Sequence, residues 1–352
     1  MKRILLTIYN IFVTLLLLTG YALVFIFAWK KGTGEMISVL IGMVCGFVFA
    51  PIFHEMGHLW FAQIGGMEYV YFKAFCLRFV RKDGKIKFSF ASPFAADQTQ
   101  VVPKRGGNMK KRAARYAVGG LLVEGIVFLV LLTAAILCTV VGGTPFVLWA
   151  MTPYFAYLFL LNAIPATLAS GKTDAAVYLG IKKGYDAEQN MLAAMEIQGQ
   201  LYEGKSFSEI DEKWYFNVPQ LCEDEPLFAV MLDLRYRYYL EKGDFDNAAD
   251  QLNRLAQTQA YLPDCEVEKI TAELAYMHAI NDDIERANEC EILCENYLSQ
   301  DIASAHRIKA ALARLKGDLD EVTARKARAE KALEKERIKG NAVFERILLS
   351  RL

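Results

Sequence analysis

The chain has 352 residues, 54% of them apolar and 12% aromatic, with 40 Lys+Arg against 40 Asp+Glu. So much apolar material excludes a disordered tail protein. Seven cysteines without framework spacing exclude a disulfide-stapled miniprotein and favour a reducing compartment or burial in a membrane. The zero net charge is a sum over two unlike halves: residues 1–180 carry 17 Lys+Arg and 7 Asp+Glu, a difference of +10, and residues 181–352 carry 23 and 33, a difference of −10.

Ile4–Ala28 is uncharged and long enough to cross a hydrocarbon core of roughly 30 Å as a helix. It follows Lys2 and Arg3 and is longer than the apolar core of a signal peptide, so it is expected to be an uncleaved anchor. Residues 36–64 are a second apolar stretch whose ionisable residues are His54, Glu55 and His58, and Gly65-Gly66 supplies its stop. Between this stretch and the third, Asp83-Gly84 lies between alternating arms, which predicts a β-hairpin within 67–94. An open strand edge cannot face lipid, so the hairpin is expected at the interface, in a water-filled cavity or against protein. Spans three and four are expected over 116–141, interrupted by Glu124, and 146–169, broken by Pro153 and Pro165. Lys104, Arg105, Lys110, Lys111, Arg112 and Arg115 precede the third span, and their position predicts a cell-membrane protein with both termini in the cytoplasm. Lys30 and Lys31 fall on the other side.

The chemistry is concentrated in His54-Glu55-Met56-Gly57-His58. On a helix, positions i and i+4 share one face, so the two imidazoles can converge on one metal while the intervening Glu reaches a water on it. Zn²⁺ is the usual occupant of such a site, with three protein ligands and one open position. Three ionisable residues in an apolar span are costly in lipid, which marks them as functional. Two acids are candidates for the third ligand. Asp174, after the fourth span, can fold back toward the histidines, and Glu124 is the only acid inside span three. His278 and His306 lie in the acidic half, where solvated or packed histidines are expected.

These residues resemble the site-2 family of intramembrane zinc metalloproteases. Phe53-His54-Glu55-Met56-Gly57-His58 is similar to the family's metal helix, and the Asn162…Pro165…Asp174 stretch to its second motif. The resemblance covers roughly residues 34–180. It implies His54, His58 and Asp174 as metal ligands, Glu55 as the catalytic acid/base, and Asn162 as a polar group that positions the substrate backbone or an oxyanion. It also implies that the hairpin matches the β element that follows the metal helix. The second motif departs from the usual form: two residues separate Asn162 from Pro165, and Ala175 stands where Gly is typical. In span three, Gly119-Gly120 keeps part of a small-residue motif.

From residue 181 the composition turns acidic and helix-favouring. A turn pattern recurs at Lys242-Gly243-Asp244-Phe245, Asn281-Asp282-Asp283-Ile284 and Lys316-Gly317-Asp318-Leu319. The anchors Phe245, Ile284 and Leu319 are 39 and 35 residues apart, and Gly204-Lys205-Ser206-Phe207 is a candidate fourth start. This half resembles tetratricopeptide repeats, which implies a surface for a partner protein. Tyr236, Tyr238 and Tyr239 read as packing residues, and Cys290 and Cys294 as reduced thiols.

The expected fold class is therefore mostly α: a polytopic membrane helical core of about four spans with a β-hairpin insertion (1–180), followed by a cytoplasmic α-helical repeat domain (181–352). The expected function is zinc-dependent endoproteolysis of membrane-anchored proteins within the bilayer, with no role for nucleic acid. The alternative is a catalytically inactive, membrane-anchored repeat adaptor. A weaker third reading is a metallopeptidase of the prenyl-protein type, with Glu124 as the second-motif acid.

Overall fold

The computed structural model of the chain describes residues 2–82, 85–168, 171–258 and 262–352. It divides into two compact units: residues 1–102 with 108–185, and residues 103–107 with 186–352.

The first unit is built on four helices: α1 (Lys2–Trp29), α2 (Thr33–Ile64), α3 (Met109–Val140) and α4 (Phe146–Ala163). Each is long and apolar enough to cross a membrane, which marks the chain as a membrane protein. They leave Leu15, Phe27, Leu40, Leu129 and Val130 exposed, a surface that hydrocarbon rather than water would cover. α2 packs against both α3 and α4, and small residues set how closely it can approach. A Cβ on Gly57 would lie 2.4 Å from the Gly119 carbonyl oxygen, and one on Gly42 would lie 2.4 Å from that of Val147.

Two span boundaries differ from the sequence expectation by more than three residues. α3 begins seven residues earlier than 116, because its basic first turns are helical and in use: Arg112, buried, donates Nε to the Gly65 carbonyl (2.5 Å) and Nη2 to that of Gly66 (3.0 Å). This ties the end of α2 to the start of α3. α4 stops at Ala163 rather than continuing to 169. Pro165 disfavours helical geometry in the residue before it, and Ile164 is extended (φ −97°, ψ 135°). The chain then makes a small ribbon, β5 (Thr167–Leu168) with β6 (Gly171–Lys172), before α5 (Asp174–Lys183).

Between α2 and α3 the expected hairpin is two strands of a larger sheet. β1 (Met67–Ala74), β2 (Leu77–Lys82), β3 (Lys85–Phe90) and β4 (Gln98–Pro103) form one sheet in the order β3-β2-β1-β4. β1 and β2 pair antiparallel with Phe72 opposite Phe79, and β2 and β3 with Phe79 opposite Phe88. The hairpin tip Asp83-Gly84 lies outside the described residues. The buried Lys73 donates to Asp97 Oδ1 (2.8 Å) and to the Ala95 carbonyl, and the Phe75 amide donates to the same Asp97 oxygen (2.8 Å). These bonds hold the connection that leads into β4.

From residue 186 onward the described elements of the second unit are helices: α6 (Asp186–Glu203), a 3₁₀ turn (Phe207–Glu209), α7 (Lys213–Phe216), α8 (Pro226–Lys242), α9 (Phe245–Gln257), α10 (Asp264–Ile280), α11 (Ile284–Leu293), α12 (Glu295–Leu298), α13 (Ala303–Leu315), α14 (Leu319–Leu333) and α15 (Lys339–Ser350). The pairs α8–α9, α10–α11 and α13–α14 each meet at a turn in which an aspartate caps the second helix. Asp244, Asp283 and Asp318 accept from the amides of Asn247, Arg286 and Glu321. The candidate fourth start makes no such pair. Ser206 and Glu209 close a capping box, but the chain leaves the 3₁₀ turn at once through the extended Ile210, and Phe207 is buried in the core. Tyr236 and Tyr238 are buried core residues, and Cys290 and Cys294 are free thiols. A charged cluster sits in the same core: Arg307, fully buried, bonds Glu273 (2.7 Å) and Glu345 (2.8 Å). Residues 103–107 run along α6, where the Gly107 amide donates to Glu196 (2.7 Å) and a Cβ on Gly199 would lie 2.4 Å from the Arg105 carbonyl oxygen.

Candidate metal centre

His54 and His58, one turn apart on α2, turn buried imidazoles toward the glycines of α3. A Cβ on Gly120 would lie 2.5 Å from His58 Nε2 and 2.9 Å from His54 Cε1, so only glycine admits both rings. The Nδ1 atoms are committed outward. His58 Nδ1 is 2.8 Å from the Tyr116 carbonyl oxygen, and His54 Nδ1 is 2.9 Å from Glu124 Oε2. A carbonyl oxygen can only accept, and an ionised carboxylate likewise, so in each neutral ring the proton sits on Nδ1 and the lone pair on Nε2.

Asp174 comes to this place through Thr173. The Thr173 hydroxyl donates to the Ile164 carbonyl (2.6 Å) and accepts from the amides of Ala166 (3.1 Å) and Ala176 (3.3 Å). It thus joins the end of α4 to the first turn of α5, where Asp174 is the first helical residue. Asp174 Oδ2 stands 3.3 Å from His54 Nε2, Asp174 Oδ1 stands 3.2 Å from His58 Nε2, and the two Nε2 atoms are 3.3 Å apart.

That triangle fits a metal. Ligands bound tetrahedrally to zinc at about 2.0–2.1 Å stand about 3.3–3.4 Å from one another. Two lone pairs and a carboxylate oxygen at this separation repel unless a cation or an added proton lies among them, and Asp174 Oδ2 is buried with no hydrogen-bond partner among the described residues. Of the two candidate third ligands, Asp174 faces the Nε2 side. Glu124 holds His54 from behind, the carboxylate–histidine arrangement that fixes the tautomer and orientation of a ligand ring.

Glu55 lies next to His54 on α2, buried, and accepts a hydrogen bond from the Thr99 hydroxyl at 2.6 Å. Thr99 is on β4, and its own carbonyl accepts from the Tyr116 hydroxyl. Sequence reasoning missed Thr99. Gln98-Thr99-Gln100-Val101-Val102 is a short strand signal with three β-branched residues, but nothing in it announces contact with a residue 44 positions earlier. Asn162, half-buried on the last turn of α4, donates Nδ2 to the Leu158 carbonyl of its own helix (3.2 Å). His278 and His306 pair with Asp283 (3.4 Å) and Asp301 (2.9 Å) in the second unit.

Comparison of the chain with protein-family models, curated proteins and solved structures returns no match.

Proposed function

We propose that the chain is a zinc-dependent intramembrane endopeptidase of the site-2 type, acting on membrane-anchored proteins. One observation carries this reading: His54 Nε2, His58 Nε2 and an Asp174 oxygen form a triangle of tetrahedral-edge dimensions on a membrane-length helix, with Glu55 alongside. His54, His58 and Asp174 would hold the zinc, which when bound supplies Lewis acidity toward a scissile carbonyl and lowers the pKa of water. Glu55 takes the proton from the attacking water and passes it to the leaving amine. Thr99 fixes the Glu55 carboxylate by occupying one of its oxygens, and Glu124 and the Tyr116 carbonyl keep both imidazoles turned inward. Asn162, with one amide hydrogen used by its own helix, can offer the other to a substrate carbonyl.

A substrate helix in lipid satisfies its peptide groups internally and must unwind before it is cut. An unwound segment regains partners by pairing with a strand, and β3 and β4 are the edges of the sheet. The cytoplasmic placement of both termini rests on the basic residues from Lys104 to Arg115. The Asp-capped helix pairs support a tetratricopeptide-like, partner-binding role for the acidic half.

The test is cleavage of a co-expressed single-span reporter together with zinc analysis of the purified protein. The wild type and Glu55→Gln should each hold about one zinc, Glu55→Gln should lose cleavage by a factor of about 10²–10⁴, and Asp174→Ala should lose the metal. Undiminished cleavage by Glu55→Gln would refute the assignment, and absence of zinc from the wild type would favour the adaptor.

A further inference from the structure

The second unit holds more acid than base, yet one cavity in it is lined by two arginines and by no Asp or Glu. The cavity, about 250 Å³, opens among α6, α8, α9 and the segment joining α7 to α8. It falls below the roughly 300 Å³ at which pockets for drug-sized molecules begin, so it has room for a small molecule or a single functional group and none for a helix.

Arg235 of α8 and Arg254 of α9 face this space, each half-buried and each propped on an aromatic ring. Arg235 Cζ stands 5.9 Å from the centre of the Phe216 ring, and Arg254 Cζ 5.5 Å from that of Phe228. Arg235 Nε donates to the Tyr215 carbonyl at 2.8 Å, which fixes the plane of its guanidinium. Its Nη groups, and every side-chain N–H of Arg254, have no hydrogen-bond acceptor among the described residues, and neither side chain has an ion pair there. Another part of the wall is held in place by Asn190, buried, whose amide donates to the carbonyls of Asp186 (2.9 Å) and Pro219 (2.8 Å). Burial and the neighbouring Arg254 charge pull the Arg235 pKa below the usual guanidinium value. Two like charges held at a half-buried cavity repel one another, and an anion between them would remove that cost.

We propose that this cavity binds a phosphate dianion, either the inorganic ion or the phosphate of a small monoester. Each guanidinium presents planar N–H pairs that match the oxygens of phosphate. A dianion neutralises both arginines, whereas a single carboxylate leaves one charge uncompensated. Val218 and Leu221, also in the wall, give an apolar surface for the ester substituent.

The experiment is calorimetric titration of the full-length protein in detergent at fixed ionic strength with sodium phosphate, glycerol 3-phosphate and sodium acetate. Phosphate and glycerol 3-phosphate should saturate one site, and acetate should bind at least about tenfold more weakly. Arg254→Gln should weaken both phosphates by about tenfold to a hundredfold while the phosphate-free melting temperature holds or rises, because one of two like charges is gone. Arg254→Lys, which keeps the charge and loses the fork, should fall between. Tighter binding of glycerol 3-phosphate would identify the monoester as occupant, and equal binding the free ion. The proposal is overturned by absence of saturable phosphate binding, by phosphate binding that ignores Arg254→Gln, or by acetate binding as tightly as phosphate.

Discussion

Gly120→Ala is the most direct probe of how the proposed metal centre is built, because it changes no proposed ligand and no charge. The added Cβ would stand 2.5 Å from His58 Nε2, 2.8 Å from His58 Cδ2 and 2.9 Å from His54 Cε1. Comfortable contact begins at about 3.5 Å, so the His58 ring must retreat by about 1 Å or α3 must move away. Metal–ligand distances tolerate only about 0.2 Å. The ring cannot make that retreat and keep both its 2.8 Å bond to the Tyr116 carbonyl and its place opposite Asp174. Zinc affinity should therefore fall by at least the 10–100-fold typical of losing a supporting contact, about 1.4–2.8 kcal/mol. The overpacking itself costs about 1–3 kcal/mol of stability. Competition against a chromophoric chelator in detergent measures the affinity, and the melting temperature of the apo protein reports the packing cost separately. Gly34→Ala, in the first turn of α2 with nothing within 4 Å of its Cβ, is the control and should leave both unchanged. Zinc affinity of Gly120→Ala within twofold of wild type would refute the placement of the two rings against α3.

Thr99→Val keeps the shape of β4 but removes the hydroxyl that Glu55 accepts from. It should lower kcat by about tenfold with zinc content unchanged, and equal loss of zinc and activity would show that Thr99 supports the metal rather than the base. Arg307→Met leaves Glu273 and Glu345 buried without their cation and should cost about 3–5 kcal/mol. The melting transition of the full-length protein checks this, and an unchanged transition would contradict it. The Cys294 thiol is fully buried and burial pushes its pKa up to about 12, so at pH 8 it should resist iodoacetamide while the exposed Cys222 and Cys265 react. Peptide mass spectrometry reads the difference, and alkylation of Cys294 at the rate of Cys265 would be the contrary result.

Much of this was legible in the chain because the signals are local. Uncharged runs of membrane length specify spans whatever else surrounds them, the i and i+4 spacing puts His54 and His58 on one face by helix geometry alone, and Asp83-Gly84 between alternating arms specifies β2 and β3. The boundaries that moved did so for different reasons, one non-local and one local. α3 starts early because Arg112 has carbonyls at the end of α2 to bond, and α4 ends early because Pro165 acts on the residue before it, a local rule that the apolar run to Ala169 obscured.

The sequence by itself determined which residue types are available for chemistry and which segments prefer lipid, since both depend on a residue and its near neighbours. Tertiary structure decided what those residues do together. It places Asp174, not Glu124, on the Nε2 side of the histidines, because Thr173 folds the chain back after α4 while α3 brings Glu124 up behind His54. It also sets Thr99 against Glu55 and Gly120 against two imidazoles. Such contacts join positions dozens of residues apart, and which of many possible partners meet is fixed only when the helices and the sheet are packed.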